Sequence, residues 1–155
     1  MCLDKQKGLL YIVLMNVLLD ASAIMAIILD EPNRDEVVKL TKGAMILAPE
    51  VISFEIGNAL VNLHRKNKID AEELLGAYEN FALIPLRIVK IDVAEALKIS
   101  CRYNIYAYDA YYLEIARRLN LPLITFDVSM KKVGRDMKIN IPEDAPKQGG
   151  ENEGF

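Results

Sequence analysis

One histidine, His64, and two cysteines, Cys2 and Cys101, stand in a chain of 155 residues. The cysteines lie far apart with no metal-ligand spacing. A single imidazole excludes multi-histidine zinc sites and leaves a His-based triad nothing to build on beyond His64 itself. A reducing, cytoplasmic setting is the expectation for such sparse cysteine usage. Excess positive charge is missing as well. Nineteen Lys and Arg face 22 Asp and Glu, for a net charge of -3, so the chain as a whole does not attract nucleic acid, although a local basic rim remains compatible with that balance. There is no internal repeat. The one extended apolar run, from about Leu9 to Leu19, falls short of the roughly 20 residues a membrane-spanning helix needs. Its surroundings do have the outline of a signal peptide: Lys5 and Lys7 precede it, and Ala21-Ser22-Ala23 offers a small-residue cleavage site. Cleavage there would discard an apolar strand and leave Asp20 just before the cut, which weighs against it, and no membrane association is expected. Met15 is an alternative natural start, which would make residues 1–14 an extension.

What is present is a globular composition, 52% hydrophobic and 26% charged, at a length that suits one domain with a substantial core. The chain is organised around Asn16-Val17-Leu18-Leu19-Asp20-Ala21-Ser22-Ala23. An apolar run of this kind reads as a buried strand of a parallel sheet. It stops on an acid, and in open α/β sheets the ligand crevice lies outside the carboxyl ends of the strands.

The rest alternates. Helices are predicted over 22–29 and 34–42, broken by Pro32 and closed by Gly43. A short buried strand over 44–48 precedes a helix running from Pro49 to about Lys66. Asp70 with Glu73, and Asp92 with Glu95, have the capping-box spacing that opens a helix; the two helices run to about Leu83 and to Tyr103-Asn104. Between them 86–91 reads as a strand. A helix over 108–119 carries Asp109 in its first turn, a strand over 121–127 ends on Asp127, and 138–141 reads as a last short strand. Helices returning between strands predict an α/β fold, a mostly parallel sheet with helices on both faces. The domain spans 15–142. Residues 143–155, rich in Gly, Glu, Asn and Lys, have almost nothing to bury and are expected to be a disordered tail.

In such a sheet the carboxyl ends of strands and the amino ends of the following helices share one edge. Asp20, Glu55, Asp109 and Asp127 all fall there. Two bare carboxylates about 4 Å apart repel by roughly 1 kcal/mol in water and about 4 kcal/mol at an effective dielectric near 20. A cluster of four therefore calls for shared protons or a cation. A hard divalent ion takes oxygen ligands, and Mg²⁺ uses one or two carboxylates while keeping several waters. Two such ions would activate a water and stabilise a leaving oxygen in phosphodiester hydrolysis. Each acid also has a plainer reading. Asp109 suits a helix amino terminus, Asp127 an N-cap, and Glu55 the solvent side of its helix. Asp20 is the hardest to explain away, since a buried strand end has little need of a charge.

Asp20-x-Ser22 after an apolar strand, Ser53-Phe54-Glu55-Ile56-Gly57-Asn58-Ala59-Leu60, Tyr108-Asp109-Ala110-x-Tyr112-Leu113-x-x-Ala116 and Leu123-Ile124-Thr125-Phe126-Asp127 resemble the four motif blocks of PIN-domain ribonucleases. The similarity is greatest to the VapC-type toxins of toxin–antitoxin pairs. No single block is very specific, but four in this order over about residues 15 to 142 are. The resemblance implies a five-stranded, mostly parallel sheet and Mg²⁺- or Mn²⁺-dependent cleavage of RNA. It makes Asp20, Glu55, Asp109 and Asp127 the metal-binding catalytic acids, with Ser22 and Thr125 as supporting hydroxyls. It also implies a homodimer and a VapB-like antitoxin partner. The extension before Met15 departs from the family pattern. Because the chain is acidic, RNA affinity would have to come from basic residues near the site, with Arg65, Lys66, Arg117, Arg118, Lys131, Lys132 and Arg135 as candidates; for each, a solvated surface charge is the plainer account. The tyrosines at 103, 106, 108, 111 and 112 suit core or dimer packing better than base stacking.

Two other classes compete. One is a non-catalytic PIN-like module that binds RNA or protein, which would have no reason to keep four repelling acids. The other is a phosphoryl-transfer protein. A haloacid-dehalogenase-type phosphatase wants Asp-x-Asp where this chain has Asp20-Ala21-Ser22, and a receiver wants a lysine where it has Thr125-Phe126-Asp127.

Overall fold

The computed structural model describes residues 15–143 together with the backbone of residues 2–4 and 9–11. The expected disordered tail, from 144 onward, lies outside the described residues. Strands β1 (Cys2–Asp4) and β2 (Leu9–Tyr11) form an antiparallel pair with Cys2 opposite Tyr11, in a sheet of their own.

The main sheet has four strands: β3 (Met15–Leu19), β4 (Ala44–Pro49), β5 (Leu86–Val89) and β6 (Leu123–Ile124), in the order β5-β4-β3-β6. All of its pairings are parallel. Val17, Leu18 and Leu19 at its centre are essentially inaccessible to solvent, as a continuous apolar run covered on both faces requires. The chain steps from β3 to β4 to β5 in one direction through α1 (Ala21–Ile28), α2 (Arg34–Thr41), α3 (Ile52–Arg65) and α4 (Ala71–Ala82). It then returns past β3 to β6 through α5 (Val93–Tyr103) and α6 (Ala107–Arg118). Crossovers between parallel strands are right-handed, so the reversal puts α1–α4 on one face and α5–α6 on the other. The order reverses at β3. The crevice of the fold therefore opens at the carboxyl end of the strand that Asp20 terminates.

Two elements differ from expectation. The strand read over 121–127 contracts to the two residues of β6. Pro122 has no N–H to give a ladder, and beyond Ile124 the backbone turns to side-chain partners, with the Asp127 N–H donating to the Thr125 hydroxyl at 3.0 Å. The fifth strand expected over 138–141 does not form. Its place is marked by one bond, from the Leu123 N–H to the Asn140 carbonyl oxygen at 2.9 Å. Upstream stands a helix that sequence reading passed over, α7 (Val128–Asp136). Its end is turned by Lys138 in the left-handed region, φ 60°, which leaves too little straight chain beside β6 for a ladder. Smaller shifts fall at helix starts: Pro49 ends β4, and α3 begins at Ile52.

Candidate functional site

Asp20 is the N-cap of α1, in extended backbone geometry. Its Oδ1 accepts the Ala23 N–H at 2.9 Å and the Ser22 hydroxyl at 2.7 Å, and its Oδ2 accepts the Thr125 hydroxyl. The two hydroxyls pass the connection on. Ser22 Oγ accepts the Phe126 N–H at 2.9 Å and Thr125 Oγ1 accepts the Asp127 N–H. The loop after β3 is thereby stitched to the loop after β6. This explains why small hydroxyl residues stand at both positions: each must donate to a carboxylate and accept a backbone N–H at once. Asp127 caps α7, its Oδ1 accepting the Met130 N–H at 2.7 Å.

Glu55 and Asp109 come from the first turns of α3 and α6. Glu55 is half-buried and accepts the hydroxyl of Tyr112, a core residue. It does not lie on the solvent side of its helix. Asp20, Glu55 and Asp109 each feel the charge of other acids in the set. Burial first, and then the charges of Asp20 and Asp109, push the Glu55 carboxyl up to about 7, against the bond from Tyr112. Burial raises Asp20, offset by its three hydrogen bonds and reinforced by the charge of Asp127. Asp109 is raised by burial and by the charges of Asp127 and Asp20. The structure thus brings all four acids to one edge. Among the described residues, the ion pairs of Arg34, Lys98, Arg117, Arg118, Lys131 and Arg135 are made with other acids.

Among the described residues no three Asp, Glu, His or Cys side chains converge as a ready metal cage. The electrostatic coupling of the acids and the lack of a cage are reconciled by coordination chemistry. A hard cation that keeps several waters needs only one or two direct carboxylates, with the others reached through water. The donor set, all carboxylate oxygen with hydroxyls behind it, fits such an ion and does not fit a soft one.

The basic candidates are split by the fold. Arg117 and Arg118 occupy the last turn of α6, about 12 Å along the helix from Asp109. Arg117 pairs with Glu95, while Arg118 bonds Glu114 and the Lys90 carbonyl oxygen. Lys131 and Lys132 lie on α7 one turn beyond Asp127, with Lys131 paired to Glu143 at 2.8 Å alongside Arg135. Arg65 and Lys66 close α3, far along that helix from Glu55.

The tyrosines separate too. Tyr112 is core, Tyr103 and Tyr111 pack against it, and Tyr106 and Tyr108 are exposed. Sequence reading missed two polar roles. Tyr112 holds Glu55, which its position three residues after Asp109, on the same helix face, would have allowed. Glu114 is buried to 1% and held by Arg118; the signal was an acid inside Leu113-Glu114-Ile115 with an arginine at i+4.

A PIN-domain family model matches residues 17–136. Ribonuclease VapC9 of Mycobacterium tuberculosis is 24% identical over 120 residues, covering 77% of this chain and 91% of that protein. Among solved structures, PAE2754 from Pyrobaculum aerophilum superposes with a TM-score of 0.60 at 24% identity, over 77% of this chain and 79% of its own. A toxin–antitoxin complex from Klebsiella pneumoniae contains a chain that superposes with a TM-score of 0.54 at 18% identity, over 81% of this chain and 96% of its own. Among the described residues no helix is long and apolar enough to cross a membrane.

Proposed function

This chain belongs to the PIN-domain family, and from that premise we propose that it is a divalent-metal-dependent endoribonuclease acting as the toxin of a toxin–antitoxin pair. The observation that carries the reading is the set of four carboxylates at the sheet's switch-point edge, of which Asp20, Glu55 and Asp109 are raised by burial and by the charge of neighbouring acids. Asp20, Glu55, Asp109 and Asp127 would hold Mg²⁺ or Mn²⁺, directly or through water. An ion bound there supplies positive charge to the phosphodiester oxygens and acidifies an attacking water.

The chain's own part is positioning and charge. Ser22 and Thr125 fix both oxygens of Asp20, so the carboxylate at the centre of the crevice does not rotate. Tyr112 holds Glu55 toward the other acids. Burial and the neighbouring acids push its carboxyl up to about 7 in the metal-free protein, so an ion bound there would relieve a repulsion that the fold otherwise carries. Lys131 and Lys132, one turn from Asp127, are the cations placed to meet phosphates flanking the cut, with Arg117 and Arg118 about 12 Å along α6 from Asp109. The named likeness to ribonuclease VapC9 and to a toxin–antitoxin complex supports RNA as substrate and a VapB-like antitoxin as partner. Assembly as a homodimer belongs to the same proposal, and the half-exposed Val93 and Leu97 on α5 offer apolar surface for it.

The test is cleavage of single-stranded RNA by protein freed of any co-purifying partner. Fragments are expected with Mg²⁺ or Mn²⁺ and none with chelator, and Asp109→Asn is expected to lose about 100-fold or more in rate. Intact RNA with both ions would defeat the reading.

A further inference from the structure

A groove of about 400 Å³ opens beside the acids, lined by Ala21, Phe54, Glu55, Asn58, Asn62 and Tyr108. Its size lies within the range of small-ligand sites, about 300–1,000 Å³. Its walls are the sequence neighbours of the acids: Ala21 follows Asp20, Phe54 precedes Glu55 and Tyr108 precedes Asp109. Whatever enters the groove therefore lies against the edge where the carboxylates gather.

Two features of the lining limit what fits. Phe54 is 74% exposed and Tyr108 51% exposed, with Tyr108 meeting the inward-packed Tyr111 edge-on at 5.4 Å between ring centres. Phe54, Asn58 and Asn62 follow one another at i, i+4 and i+8 on α3, so an aromatic face is continued along the helix by two amides about 6 and 12 Å further on. Each amide offers an acceptor and two donors, the complement of a base edge. The described lining includes one acid, Glu55, and no lysine or arginine. That charge repels a phosphate and tolerates a neutral ring.

Resting on the ribonuclease reading of the adjacent acids, we propose that this groove is a nucleobase subsite. An unpaired base of single-stranded RNA, next to the phosphate that is cut, stacks on Phe54 and Tyr108 and is read by Asn58 and Asn62. Unpaired bases are recognised in this way, by stacking on aromatic side chains with hydrogen bonds to their edges. A base seated here also fixes which phosphate reaches the acids, so the groove sets the position of cleavage as well as affinity.

The experiment has two arms, both on the full chain. In the first, a short single-stranded RNA carrying the fluorescent base 2-aminopurine is titrated with protein in chelator, so that binding is read without cleavage. In the second, cleavage of an RNA panel differing in base identity is followed with Mn²⁺. Phe54→Leu and Tyr108→Leu are compared with wild type and with Phe54→Trp, and all are melted to check folding. We expect wild type to quench the base and each leucine variant to weaken binding roughly 5- to 150-fold, the range for losing one stacking ring. KM should rise by a similar factor with little change in kcat, Phe54→Trp should restore both, and Asn58→Ala should flatten the preference between bases. Wild-type binding, KM and base preference in both leucine variants would overturn the subsite while leaving the ribonuclease reading intact. So would leucine variants whose one defect is loss of a dimer, since the groove would then seat a second copy. Quenching that depends on Phe54 without RNA cleavage under any ion would support the subsite and defeat the ribonuclease reading. Neither quenching nor cleavage by wild type would defeat both.

Discussion

Glu55→Gln is expected to stabilise the metal-free protein and to weaken it as a metal binder. The carboxyl of Glu55 is pushed from its ordinary 4.5 to about 7, mainly by burial, with the charges of Asp20 and Asp109 adding to it. A carboxyl raised on folding stabilises the native state fully below its unfolded value and withdraws that stability as pH climbs through the folded value. The window here is pH 4.5 to 7. At 1.36 kcal/mol per pH unit the full displacement is at most about 3.4 kcal/mol, and partial solvent access reduces it to about 2 kcal/mol. Glutamine keeps an acceptor for the Tyr112 hydroxyl and removes the charge. At pH 8 in chelator the variant should therefore melt about 6 °C above wild type, taking about 3 °C per kcal/mol for a chain of this size. At pH 4.5 the two should coincide. With Mn²⁺ at pH 8 the order should narrow or reverse, because wild type gains a ligand that glutamine supplies poorly. Thermal melts at three pH values, each with and without Mn²⁺, decide it. A variant no more stable than wild type at pH 8 in chelator would refute the account of Glu55 as a carboxylate held against its own repulsion.

Two further substitutions probe the supports. Thr125→Val removes the hydroxyl that bonds buried Asp20 and accepts the Asp127 N–H, so it should cost about 2 kcal/mol in chemical denaturation and depress metal-dependent RNA cleavage; an unchanged midpoint would contradict the network. Arg118→Met takes the cation from the carboxylate of Glu114, which is 1% exposed and keeps the Asp92 N–H as a hydrogen-bond donor, at a cost of about 3 kcal/mol. The double variant with Glu114→Gln should recover most of that loss, and RNA cleavage per folded molecule should stay near wild type because the pair lies at the far end of α6 from Asp109.

The residues that carried the sequence reading are those whose local chemistry and long-range role coincide. Asp20 ends a continuous apolar run, so it marks both the strand's end and the crevice. Asp109 and Glu55 sit in the first turns of strongly patterned helices, and topology alone then brings them to Asp20. Less was legible around Asp127. Its N-cap role was apparent, but α7 behind it was not, because Val128–Asp136 carries four charged residues and a glycine and exposes Val128, with Met130, Val133 and Gly134 as its buried positions. The fifth strand failed for a related reason: 138–141 has strand-like residues, yet the left-handed turn at Lys138 and a single bond to β6 are all the pairing its position allows. Tyr112 and Glu114 were hidden by their surroundings, a phenol among packing aromatics and an acid in an apolar run. Their partners are set by tertiary geometry, from α3 in one case and from the next helical turn and the Asp92 N–H in the other.

The central claim is that these acids hold a divalent cation. Its most direct test is the thermal midpoint of the full chain titrated with Mn²⁺ at pH 7.5, wild type beside Asp109→Asn, a position half open to solvent where the exchange should leave the fold intact. The account predicts a wild-type midpoint rising by about 8 °C at 100 times the dissociation constant, equivalent to about 2.7 kcal/mol of linked binding, and a nearly flat response in the variant. Equal responses in the two proteins, or none in wild type, would contradict it.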